Sequence, residues 1–307
     1  MKTSIKWDLN NVPDLSGKVI IVTGGNSGLG FHAVKAFANK NAQVIMASRN
    51  IKKAEEARQE IHHQIPHAKI DILQLDLTDL ESVKNFSVKF KKEYNQLNIL
   101  LNNAGIMMVP NSKTKDGFEM QLGTNHLGHF ALTALLMDVI KSTPKARIVN
   151  VSSMAHKMGS IDFSNLQYEN GGYSPFKSYC RSKLSNLLFT YELDRYLKAN
   201  NIDCIALAAH PGVSDTHLFD HIAPKWMMRL LKPLTSLFIQ PADMGALPEI
   251  RAALDPLAQG ADFYGPDGFR EMKGYPVKVK SGAKSYNTND ATSLWTYSEI
   301  TTKLQFQ

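Results

Sequence analysis

From residue 18 onward, short apolar runs rich in β-branched residues alternate with longer amphipathic stretches. "KVIIVTG" (18–24) is a continuous apolar run ending in glycine, the pattern of a strand buried on both faces. The next stretch sets Gly30, Ala33, Val34, Phe37 and Ala38 at helical spacing, which buries one face. "AQVIMAS" (42–48) predicts a second strand, "IKKAEEARQEIHHQ" (51–64) a charged helix and "AKIDILQLD" (68–76) a third strand. Thr78 and Glu81 form a capping-box pattern before a helix with Leu80, Val83, Phe86, Ser87, Phe90 and Tyr94 on its inner side. "LNILLNNAG" (97–105) and "ARIVNVSS" (146–153) predict two more strands around a long helix near 115–141. A helix over about 177–199 and the strand "IDCIALAAHPG" (202–212) complete the regular part.

Strands separated by helices imply right-handed crossovers. The expected fold class is α/β: a doubly wound, mainly parallel sheet of Rossmann type with helices on both faces. No internal repeat, low-complexity linker or break in composition divides the chain, which predicts one domain over 1–307. Its core spans about 17–217, and residues 218–307 are expected to form an irregular substrate cap and complete the C-terminal part.

Composition narrows the class. Hydrophobic content of 43% and charged content of 21% fit an ordered globular protein. The net charge of +7 comes without a basic tract interleaved with aromatics, so nucleic acid is not an expected partner. Cys180 and Cys204 give neither a disulfide framework nor metal-ligand spacing, so no metal is expected and a reducing, cytoplasmic compartment is. "MKTSIKWDLNNVPDL" has no apolar run of the secretory kind. The most apolar segment, 226–240, is broken by Arg229, Lys232 and Pro233, so no stable membrane insertion is expected.

Candidate chemistry begins with "TGGNSGLG" (23–30), between the first strand and the first helix. An open α/β sheet binds a pyrophosphate at that position, against the positive end of a helix. Gly24, Gly28 and Gly30 depart from the strict G-x-G-x-x-G spacing, and Asn26, Ser27 and Leu29 complete the turn. Alone, the stretch is also compatible with an ordinary strand–helix turn. The second strand ends in Ser48 and Arg49, where an NAD site usually has a carboxylate. A guanidinium there favours a 2′-phosphate, so NADP(H) is the expected cofactor, with Lys53 as a further cation. A solvated surface arginine is the plainer alternative.

"SYCRSK" (178–183) sets Tyr179 four residues before Lys183, on one face of a helix. "YSPFK" repeats the spacing with Tyr173 and Lys177, but Gly171, Gly172 and Pro175 argue against a helical turn there. A neighbouring ammonium would lower the phenol's pKa from its usual value near ~10.

"TGGNSGLG", "NNAG" (102–105), "NHLGHF" (125–130), "NVSS" (150–153) and "YCRSK" (179–183) occur in that order. Together they resemble the short-chain dehydrogenase/reductase family over roughly 17–217, and "NHLGHF" and "VNVSSMAH" resemble its retinol-dehydrogenase and protochlorophyllide-reductase-like branch. The resemblance implies interconversion of an alcohol and a carbonyl by hydride transfer. It implies Tyr179 as proton donor or base, Lys183 on the nicotinamide ribose, Ser153 on the substrate oxygen and Asn125 in a proton relay through water. Ser152 is the alternative to Ser153. The resemblance also places Asp76 and Leu77 at the adenine, Asn103, Ala104 and Gly105 along the cleft, and Pro211, Gly212 and Thr216 near the carboxamide.

The Ser153–Tyr179 interval is longer than in most members, inserting "MAHKMGSIDFSNLQYENGGYSPFK" (154–177). That insert and the apolar segment 218–240, with Trp226, Met227, Met228 and Phe238, would suit a lipophilic aldehyde or ketone. A purely packing role for 218–240 is equally open. His126 and His129, like His62, His63 and His67, fit packing or solvation better than a metal site. Monomer or homodimer is left undecided. A non-catalytic NADP(H)-binding sensor or scaffold is the alternative reading, although it would not need Tyr179.

Overall fold

The computed structural model describes residues 6–214 and 240–306. The segment 218–239 and Thr216 lie outside the described residues. The strands are β1 (Val19–Thr23), β2 (Gln43–Ser48), β3 (Lys69–Gln74), β4 (Ile99–Asn102), β5 (Ala146–Val151), β6 (Cys204–Ala209), β7 (Phe263–Pro266) and β8 (Pro276–Val279). They form an eight-stranded sheet in the order β3-β2-β1-β4-β5-β6-β7-β8. Every neighbouring pair is parallel except β7–β8. This is the doubly wound α/β sheet predicted, with its order reversing at β1.

Side chains alternate between the two faces of each strand. Ile20 and Val22 of β1 join one apolar cluster with Phe37 of α1 (Gly28–Ala38), Ile61 of α2 (Ile51–Gln64) and Ile250 of α8 (Ala242–Leu254). Val19 and Ile21 join the opposite cluster with Phe90 of α3 (Leu80–Glu93), Phe130 of α5 (Gly128–Leu135) and Leu193 of α7 (Pro175–Ala199). Each fully buried side chain of this size contributes roughly 1.5–3 kcal/mol.

Four local expectations change. Asp79, not Thr78, caps α3, accepting the Glu81 N–H at 3.1 Å. The Thr78 hydroxyl is already committed to Asp76 Oδ1 at 2.7 Å. α7 starts two residues early because Ser174 caps it and Pro175 takes its first turn, where a missing N–H is harmless.

The long helix near 115–141 is broken into α4 (Met120–Leu122), a π turn (Gly123–Leu127), α5 and α6 (Met137–Ser142). Close approach explains the glycines there: a Cβ on Gly123 would lie 2.5 Å from the Thr114 side chain, and one on Gly128 2.6 Å from Leu77 O.

The fourth change concerns the C-terminal part, which is more regular than a cap. Among its described residues, β7 and β8 extend the sheet and α8 packs on α1. α9 (Thr288–Thr302) lays Leu294 against Leu184 and Leu188 of α7, with Trp295 packed against Phe130 and Phe189.

Candidate active site

The carboxyl ends of β1, β2, β4, β5 and β6 converge on a cleft of about 500 Å³. Such a switch point is where open α/β sheets bind ligands. Because β2 and β6 flank the centre of the sheet on opposite sides, the cleft runs from Ser48 and Arg49 at one end to Pro211 and Gly212 at the other.

The turn after β1 shapes the floor. Gly24 has φ +67°, a backbone that L side chains rarely adopt. Ser27 stands at the N-cap of α1 but its side chain caps no amide, so the helix presents first-turn N–H groups at the cleft with Gly28 and Leu29. Asn26 accepts the Ser48 hydroxyl at 2.9 Å and ties this turn to the end of β2. Arg49 and Lys53 line the same end, and Asn50 caps α2 through the Lys53 N–H.

Asp76 and Leu77 form the wall beyond β3, with Asp76 Oδ1 taken by the N–H and hydroxyl of Thr78. Asn103, Ala104 and Gly105 continue the wall: Asn103 Nδ2 donates to Thr23 O at 2.7 Å, and Ala104 N to the Thr23 hydroxyl at 2.9 Å.

Two candidates lie behind the cleft rather than in it. Gly30 is buried, and a Cβ there would lie 2.4 Å from Gly24 O and 2.5 Å from Asn103 Nδ2. It is a packing glycine that lets α1 meet the turn. Asn125, fully buried in the π turn, uses its side chain as a clamp. Its Oδ1 accepts Ile106 N–H at 2.8 Å, and its Nδ2 donates to Ile106 O and Ser182 Oγ, both at 2.9 Å. Its main-chain carbonyl meets His129 Nδ1 at 3.0 Å, while His129 Nε2 meets the Thr23 hydroxyl at 2.9 Å. Burial holds His129 down to about 4 and His126 down to about 3, so both are neutral packing histidines.

Ser153, Tyr179 and Lys183 line the cleft together. Ser153 follows β5 and caps a short 3-10 turn, Met154–Met158, and its side chain hydrogen-bonds Tyr179. Ser152 is buried and donates to Lys183 O at 2.8 Å, so Ser153 is the serine presented to the tyrosine. Lys183 donates to Val151 O at 3.0 Å, and its Nζ lies 5.8 Å from the centroid of the Tyr179 ring.

The phenol does not titrate as expected. Burial pushes Tyr179 up to about 12, against the pull of the Ser153 hydrogen bond. Burial pushes Lys183 down to about 8, against the charge of Glu249, so burial and not the neighbouring ammonium sets the direction of the phenol's shift. Tyr173 is removed from the question: it lies outside α7 and donates to Val109 O at 2.8 Å.

The model of the short chain dehydrogenase family matches residues 18–225. The chain belongs to that family. Human "Retinol dehydrogenase 12" is 40% identical over 284 residues, covering 92% of this chain and 86% of that protein. Human "Retinol dehydrogenase 11" is 43% identical over 240 residues, covering 78% and 74%, which places the chain in the retinol-dehydrogenase-like branch. Human "Polyprenol dehydrogenase" is 37% identical over 291 residues, covering 93% and 85%. A crystal structure of an uncharacterized protein from Mycobacterium Paratuberculosis superposes with a TM-score of 0.82 at 37% identity, covering 98% and 99%. The Pseudomonas aeruginosa RhlG/NADP complex shares the fold with a TM-score of 0.65 at 17% identity, covering 81% and 94%.

Short-chain dehydrogenases are nucleotide-dependent oxidoreductases, and this chain is one of them. Sequence reasoning missed Ile106, Met107, Met120, Thr124 and Ser214 along its cleft. Ile106 and Met107 directly follow "NNAG", a signal that was available; Met120 and Thr124 reach the cleft only through the broken helix.

Proposed function

We propose that the protein is an NADP(H)-dependent oxidoreductase interconverting an alcohol and a carbonyl, with Tyr179 as general acid and base. The grouping that carries this reading is Ser153, Tyr179 and Lys183 in one cleft with the first turn of α1 and Arg49. The donor set suits a phosphorylated dinucleotide: amides not capped by Ser27 for the pyrophosphate, and Arg49 with Lys53 for a 2′-phosphate. Asn103, Ala104, Gly105 and Lys183 would hold its nicotinamide half, with Pro211 and Gly212 closing the far wall. The nicotinamide supplies or accepts the hydride when bound.

The protein handles the proton. In reduction, Tyr179 Oη donates its proton to the substrate oxygen as charge develops there, and a high pKa keeps that proton in place at neutral pH. Ser153 Oγ donates a hydrogen bond to the same oxygen. In oxidation the phenolate is the base, and the charged form of Lys183 stabilises it. Asn125 positions the Gly105–Ile106 backbone beside Lys183 rather than touching substrate: a Cβ on Gly105 would lie 3.2 Å from Asn125 Oδ1 and 3.3 Å from Lys183 Nζ.

Ile106, Met107 and Met120 give the reacting end of the cleft an apolar lining, which favours a lipophilic aldehyde or ketone. The names of the relatives, retinol and polyprenol dehydrogenases, point the same way. A cytoplasmic setting is proposed from the two unpaired, buried cysteines. The test is titration with NADPH and NADH, followed by turnover of aldehydes of increasing chain length. Equal affinity for the two nucleotides would remove the NADP(H) assignment, and turnover independent of chain length would remove the lipophilic one.

A further inference from the structure

His210, the first residue after β6, is fully buried beneath the Pro211–Ser214 wall of the cleft. Its Nδ1 accepts the Gly212 N–H at 3.2 Å, which assigns the proton to Nε2. Nε2 lies 3.0 Å from Glu271 Oε2. The ring fits only because β7 carries glycine opposite it: a Cβ on Gly265 would lie 2.1 Å from Nε2.

Glu271 is reached at some cost. It follows Arg270, and both have left-handed backbones, with φ of 59° and 50°. Non-glycine residues adopt this region only under strain and persist there where surrounding contacts hold them. Here the contacts converge on the cleft wall. Met272 O accepts the Val213 N–H at 2.7 Å, and a Cβ on Gly212 would lie 2.3 Å from it. Gln240 accepts the Gly274 N–H at 3.0 Å and donates to Pro211 O at 2.8 Å. Lys157, four residues beyond Ser153, donates to both Glu271 oxygens at 3.4 Å.

We propose that His210 and Glu271 are a positioning pair: through this hydrogen bond the strained 268–274 turn sets Pro211–Ser214, and with it the nicotinamide end of the cofactor. The proposal rests on the NADP(H) reading above. Neither residue touches the cofactor; both act through the Pro211–Gly212 backbone.

The test separates the two ends of the cleft. Glu271→Asn suits the left-handed backbone, which asparagine tolerates, but withdraws the acceptor from Nε2 by one methylene. Glu271→Gln keeps the reach and an acceptor oxygen. Affinities are measured by calorimetry in the full chain for NADPH and for 2′,5′-ADP, which lacks the nicotinamide. Glu271→Asn should weaken NADPH about tenfold, the value of one buried hydrogen bond to a charged group, and leave 2′,5′-ADP within about twofold. Glu271→Gln should restore NADPH to within about threefold of the parent. Parallel loss of both ligands, loss of neither, or no rescue by glutamine would overturn the positioning role. A parent protein that binds neither NADPH nor 2′,5′-ADP would instead overturn the cofactor reading and the proposal with it.

Discussion

Glu249 on α8 is 1% exposed, and its Oε1 has no hydrogen-bond partner among the described residues. Burial pushes its carboxyl from 4.5 up to about 8, with the nearby charge of Lys183 pulling the other way. A carboxyl raised in the folded state favours folding most below its unfolded pKa, and that contribution is lost as pH rises through the folded value. Glu249 therefore weakens the fold progressively between pH 4.5 and about 8. The full displacement is worth roughly 5 kcal/mol as a ceiling, at about 1.4 kcal/mol for each pH unit.

Relaxation of the site and the attraction of Lys183 reduce that figure. Glu249→Gln is expected to gain about 2–3 kcal/mol at pH 8 and close to nothing at pH 5, where acid and amide are both neutral. Lys183, held down to about 8, is about half neutral by pH 8, and loss of the Glu249 charge lowers it further in the variant, which trims the gain at the top of the window. For a chain of this size the gain is a melting temperature about 3–5 °C higher at pH 8. Thermal unfolding of parent and variant at half-unit steps from pH 5 to 8 reads it. A difference that does not change with pH, or a variant less stable at pH 8, would refute the reasoning.

Arg49→Glu places a carboxylate where the 2′-phosphate is proposed, so NADPH affinity should fall by roughly 100-fold while NADH affinity holds or rises, read by nucleotide fluorescence. Gly30→Ala drives a methyl into Gly24 O and Asn103; urea unfolding should show a loss of about 2–3 kcal/mol, with NADPH binding weakened in step. A Gly30→Ala chain as stable as the parent would mean that the turn yields where the contact distances say it cannot.

Local pattern made the sheet and much of the candidate site legible. Apolar runs ending at "TGG", "NNAG" and "NVSS" are strand ends, and a parallel sheet brings such ends to one edge whatever the loops do. Tyr179 and Lys183 needed only the helical period. What stayed hidden depends on contacts between residues far apart in the chain. The π turn at Gly123–Leu127 follows from Gly123 meeting Thr114 and Gly128 meeting Leu77. β7 and β8 are four residues each and carry prolines at their ends, so they read as loop until pairing with β6 and each other reveals them. The direction of the Tyr179 shift is not legible in the sequence because spacing reports the neighbouring ammonium but not the burial that sets the shift.

The central claim is that Tyr179 moves a proton during NADPH-dependent carbonyl reduction. The most direct measurement is NADPH oxidation by absorbance across a panel of lipophilic aldehydes, ketones and quinones, with Tyr179→Phe run beside the parent. The account predicts turnover by the parent, lost by about a thousandfold in the variant, with NADPH affinity kept within about threefold. Undiminished turnover in Tyr179→Phe would contradict it.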